Sequence, residues 1–120
     1  MATIQIKRVY EEPHKSDGYR VLVDRLWPRG LTKERAALDE WRKELAPSTE
    51  LRKWFAHDAA KWKGFQSRYQ DELAEKADLL AELKRRRGKV TLLYAARDEQ
   101  HNEAVVLKKV IGSLRPKPSS

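Results

Sequence analysis

Two apolar runs in this 120-residue chain each break into a cluster of charge. Val21-Leu22-Val23 ends in Asp24, Arg25, Trp27, Pro28, Arg29 and Gly30, and Val90 to Ala96 ends in Arg97 and Asp98. Arginine presents a planar fork of donors that matches phosphate or carboxylate oxygens and stays charged at any working pH. Arg25, Arg29 and Arg97 are therefore expected to form a site for a small phosphorylated or carboxylated ligand. Asp24, His57 and Asp98 are its expected polar neighbours. Gly30 shapes the turn, and Tyr94 has a hydroxyl that could donate to the ligand or to the sheet edge. The competing reading is structural pairing, Asp24 with an arginine and Arg97 with Asp98 or Glu99, of the weak kind common on surfaces.

A third reading is hydrolysis with His57 or Asp98 as general base. Histidine titrates near neutrality and a carboxylate can orient it. Adjacent residues such as His57-Asp58 rarely bond as a catalytic pair, however, and Asp58 is expected to cap the next helix. The serines show no G-x-S-x-G elbow. The three histidines share no metal-ligand spacing and cysteine is absent, so no metal site is expected. The Walker and G-x-G-x-x-G patterns are also missing, and no cofactor is expected.

The net charge is +8, and most of the excess lies in the second half. Lys84-Arg85-Arg86-Arg87-Gly88-Lys89 is the densest block. It offers an alternative function, a nucleic-acid-binding module that uses Lys84, Arg85, Arg86, Arg87 and Lys89. The same run also fits a solvated helix end, where cations complement the helix dipole.

The elements that must position these groups can be read from periodicity and punctuation. Thr3 to Val9 alternates as a short strand. Residues 11 to 18 form a polar loop, and Tyr19 to Arg25 a strand buried on both faces. Thr32 is an N-cap for a helix through Ala37. Leu38 to Leu45 fits a helix or an edge strand. Ser48 caps a helix with Leu51, Trp54 and Phe55 on one face. Trp62, Phe65, Tyr69 and Leu73 continue at helical spacing, and residues 59 to 87 fit one helix or two, with Asp78 a possible second cap. Gly88 stops that segment. Val90 to Ala96 is a third strand, and Asn102 caps a last helix.

Strands alternating with helices imply a small three-layer α/β fold, a short and mainly parallel sheet flanked by helices. The length suits a single domain over residues 1–114, with 115–120 an expected disordered tail. No apolar run approaches the ~18 residues of a membrane span. The first twenty residues also lack a secretory h-region, so a cytoplasmic protein with no membrane partner is expected. Nothing in the sequence sets an oligomeric state.

The motifs combine into a recognisable signature. Asp24-Arg25-Leu26-Trp27-Pro28-Arg29-Gly30 is followed by Ala46-Pro47-Ser48, Leu51-Arg52-Lys53-Trp54-Phe55 and His57-Asp58. Trp62, Phe65, Tyr69 and Glu72-Leu73 come next, then Leu92 to Asp98 and Asn102. Over nearly its whole length the chain resembles the YeaO-like bacterial proteins, a branch of the domain-of-unknown-function group 488. That resemblance implies a bacterial, cytoplasmic, single-domain α/β protein and assigns no catalytic residue.

Overall fold

A computed structural model describes residues 2–114; the expected tail lies outside them. Four parallel strands form one sheet in the order β1-β4-β2-β3. They are β1 (Thr3–Arg8), β2 (Tyr19–Leu22), β3 (Glu40–Trp41) and β4 (Lys89–Tyr94). The helices are α1 (Lys33–Ala36), α2 (Thr49–Phe55), α3 (Trp62–Ala74), α4 (Ala77–Arg85) and α5 (Glu103–Ser113), with short 3₁₀ turns between several of them. The fold is the expected small α/β type. None of the described helices is long and apolar enough to cross a membrane.

Strand alternation divides the apolar residues between two layers. Val21, Val90, Leu92 and Tyr94 face the main core, which α2 to α5 close with Phe55, Phe65, Tyr69, Leu73, Leu80, Leu83, Leu107 and Ile111. Phe65, Tyr69 and Leu73 recur every fourth residue, so one stripe of α3 lies on the sheet. The opposite face carries Leu22 and Leu93 under Ala36 of α1, with Trp27, Leu31, Leu38 and Trp41 packed around them.

This second face is partly polar. Asp17 is buried and receives Arg20 Nη1 at 2.5 Å and Lys7 Nζ at 3.0 Å. Burial alone would raise the Asp17 pKa. Hydrogen bonds from the His14 backbone, Lys7 and Arg20 outweigh it and hold the carboxyl below its ordinary value. Arg20 also donates to the Ala36 and Ala37 carbonyls at the end of α1.

Four of the expected caps form, as Thr32, Ser48, Asp58 and Asn102 accept from Arg35, Leu51, Ala60 and Val105 N–H groups. Leu38 to Leu45 resolves as an edge strand and a 3₁₀ turn, because Glu40 and Trp41 pair with Val21 and Leu22. Residues 59 to 87 form two helices, with the break at Glu75–Lys76. Asp78 is not the cap: Lys76 occupies that position and Asp78 lies in the first turn. Gly88, with φ of 80°, turns the chain into β4 two residues beyond the end cap Arg86.

Candidate functional site

The C-terminal ends of β2 and β4 lie side by side, since Leu22 pairs with Leu93 and Val23 N–H donates to the Leu93 carbonyl. The next rung is made by a side chain. Asp24 Oδ2 accepts from Ala95 N–H at 2.9 Å. Trp41 of β3 donates its indole N–H to the Asp24 carbonyl at 2.7 Å. From the other side Arg8 of β1 donates to the carbonyls of Ala95 and Ala96. Both charged turns are thus anchored to neighbouring strands.

A cleft of about 730 Å³ opens there. Its walls include Asp24, Arg25, Arg29, His57, Arg97 and Asp98 together. The two charged turns and the α2 end therefore meet in space. Gly30 and Tyr94 lie outside these walls. Gly30 has φ of 75°, a turn geometry that favours glycine. The Tyr94 side chain is buried in the main core. The role expected for Tyr94 as a ligand donor is therefore not matched by its position.

Asp24 is a half-buried residue of the cleft lining. Loss of hydration raises its pKa from 3.8 to about 6, against the opposing bond from Ala95 N–H. Arg25 is half-buried and donates Nε to the Pro47 carbonyl at 3.1 Å. Pro47 is fixed in turn, because Ser48 donates both N–H and Oγ–H to the Glu72 carboxylate at 2.8 and 2.6 Å. Arg29 is exposed, and its carbonyl accepts from the Tyr10 hydroxyl at 2.8 Å. Among the described residues, Arg25, Arg29 and Arg97 form no ion pair within 4.0 Å. The expected pairings of Asp24 and Arg97 do not form: Asp24 caps a backbone N–H, and Asp98 turns to a histidine.

That histidine is His101, and its Nδ1 lies 2.8 Å from Asp98 Oδ2. Asp98 Oδ1 accepts from the N–H groups of Gln100 and His101, which fixes the turn. These bonds, that from Gln100 foremost, hold the Asp98 carboxyl below its ordinary pKa. The His101 ring stands edge-on to Trp62 at 5.1 Å. Asp58, by contrast, accepts from Ala60 N–H as a cap and leaves His57 without it. His57 itself is exposed and left-handed, with φ of 57°.

Arg52, His101, Asn102 and Glu103 also line the cleft and were not expected as site residues. Arg52 had no sequence signal, since its helix is brought to the sheet edge by tertiary packing. His101 had one: a histidine three residues after an aspartate at a strand exit. Trp27 lines the cleft and packs on Trp41 at 5.4 Å, so it serves wall and core together. Among the described residues no group of three or more His, Asp or Glu is placed to hold a metal ion.

The Lys84 to Lys89 stretch lies at the opposite edge of the sheet, where β4 begins. Lys84 donates to the Leu114 carbonyl, and Arg86 stacks over the Tyr19 ring at 3.4 Å. Arg85 and Arg87 are exposed.

The chain is 47% identical over 114 residues to the Escherichia coli protein "Uncharacterized protein YeaO", covering 92% of this chain and 98% of that one. It is 42% identical over 110 residues to the Mycobacterium tuberculosis protein "Uncharacterized protein Rv3073c", covering 90% and 92%. No solved structure matches it. Residues 3–115 match the family described as the inactive DUF488-N3 subclade, and with two relatives alike over nearly their full length the chain belongs to that family.

Proposed function

We propose that this protein binds a small phosphorylated or carboxylated ligand in the cleft beyond β2 and β4. The observation that carries the reading is the convergence of Arg25, Arg29, Arg52 and Arg97 on one cleft, with no ion pair to a carboxylate among the described residues. Guanidinium groups gathered without a direct carboxylate partner keep donors free, and a bound anion satisfies them even though Asp24, Asp98 and Glu103 line the same cleft. The N-terminus of α5 opens on the same cleft through Asn102 and Glu103 and adds its partial positive charge. The family's description as an inactive subclade favours binding over hydrolysis. Asp98–His101 is an oriented pair, but among the described residues lining the cleft no serine, threonine or cysteine accompanies it.

A titration followed by backbone NMR tests this against nucleic-acid binding. Phosphate is expected to shift Arg25 to Leu31 and Arg97 to Asn102, and Arg29→Lys to weaken the response despite conserving charge. Shifts confined to Lys84 to Lys89, brought on by a short duplex and lost steeply with salt, would move the function to the basic stretch.

A further inference from the structure

We infer that the ligand of this cleft is an aromatic organic phosphate of the nucleoside monophosphate class; this rests on the anion-binding reading above. Three observations carry it. First, a cleft of about 730 Å³ is of the size that takes an organic ligand, far more than one phosphate fills. Second, the exposed large hydrophobic side chains among the described residues are Tyr10, 37% exposed, and Leu26, 58% exposed, and both lie on this cleft. The apolar wall continues inward through Trp27, Phe55 and Phe65. Apolar surface gathered beside arginines is wasted on a bare anion and suits a planar ring joined to a phosphate. The bond from the Tyr10 hydroxyl to the Arg29 carbonyl ties the aromatic lip to an anion-binding segment. Third, Asp24, Asp98 and Glu103 stand among the arginines. Carboxylates oppose a purely anionic ligand, but they accept from the hydroxyls of a sugar and the amino groups of a base.

Calorimetry on the full chain tests this with the 5′-monophosphates of adenosine, guanosine, cytidine and uridine, with ribose 5-phosphate, and with adenosine. At least one nucleoside monophosphate is expected to bind about tenfold or more tighter than ribose 5-phosphate, a gap typical of one stacked base. Tyr10→Ala and Leu26→Ala, checked for folding by circular dichroism, should each shrink that gap to about threefold, and Leu26→Ala should leave ribose 5-phosphate unchanged. Ribose 5-phosphate binding as tightly as every nucleotide would overturn the inference and leave the anion site standing. Adenosine binding as well as its monophosphate would keep the aromatic subsite and remove the anion site. No binding by any phosphate compound would remove both.

Discussion

Asp24 Oδ2 accepts the hydrogen bond that Ala95 N–H would otherwise lack, so a titratable carboxyl takes the last rung between β2 and β4. The group that closes the ladder is also an acid of the cleft lining, with its pKa raised to about 6 by desolvation. A raised carboxyl pKa means that the folded state holds the proton more tightly than the unfolded chain. Stability therefore falls as pH rises from about 4 to about 6 and levels off above. The cost of the ionised form is about 2 kcal/mol once the open side of the group is allowed for. Asp24→Asn keeps an acceptor for Ala95 and should stabilise the protein by about that amount at pH 8, by about a third of it at pH 4.5, and little at about pH 3.5. Urea denaturation of both proteins across this range measures it. A difference independent of pH would refute the assignment.

On the proposed anion-binding reading, the same proton should also control binding. Sulfate stays doubly charged over this range and isolates the effect of the protein. Asp24→Asn should bind sulfate more tightly than the parent at pH 8, and the two affinities should converge by pH 5. Curves that stay parallel would mean that Asp24 does not face the bound anion.

Much of this site was legible because it lies at strand ends. Val-Leu-Val breaking into Asp24 and Arg25 marks a buried strand reaching the surface, and so does the run into Arg97. Caps such as Asn102 are local chemistry and could be placed from neighbours alone. The two-residue β3 has no period of its own and exists only through its pairing with Val21 and Leu22. The α3–α4 break falls at Glu75–Lys76 with no glycine or proline to announce it, and Leu73 and Leu80, a heptad apart, suit a continuous helix equally well. Arg52 and Glu72 enter through tertiary packing, which periodicity does not encode. Asp17 read as part of a polar loop and is instead buried under Arg20 and Lys7.

Glu72 should therefore affect binding without touching the cleft. Its carboxylate holds Ser48, next to the Pro47 carbonyl that accepts from Arg25. Glu72→Ala leaves the Ser48 donors unpaired and should cost about 1–3 kcal/mol. It should also weaken sulfate binding, because Arg25 loses its support. Glu72→Gln retains an acceptor and should recover much of both. Full sulfate affinity in a folded Glu72→Ala protein would show that Arg25 is positioned independently.

Trp54 offers a test of packing. It is half-buried, with Lys61 Nζ at 5.2 Å and the Arg68 guanidinium at 4.1 Å from its ring. A Cβ at Gly64 would lie 2.8 Å from its Cη2. Trp54→Ala should cost about 2 kcal/mol, below the range for a fully buried tryptophan. Gly64→Ala should destabilise by pushing the ring outward, and less so in the Trp54→Ala background. A double-mutant cycle by thermal melting reads that coupling. Additive effects would mean that the two residues are not in contact.

The last prediction concerns the two ends of the sheet. β4 runs from Lys89 to Tyr94, and its rise puts the basic stretch about 17 Å from the cleft edge. That is about two Debye lengths at physiological ionic strength, so charge at one end is largely screened from the other. Arg85 and Arg87 are exposed, while Lys84 and Arg86 are engaged with Leu114 and Tyr19. Replacing Arg85 and Arg87 by glutamate therefore alters charge and spares the fold. If the basic stretch binds duplex DNA, that binding should drop, with the salt slope reduced by about 0.9 for each phosphate that the variant no longer neutralises. Sulfate affinity in the cleft should stay within about twofold, because the arginines there are untouched. If the double variant lost sulfate binding while its melting temperature held, the anion would sit at the basic stretch, and Arg25, Arg29 and Arg97 would no longer explain it.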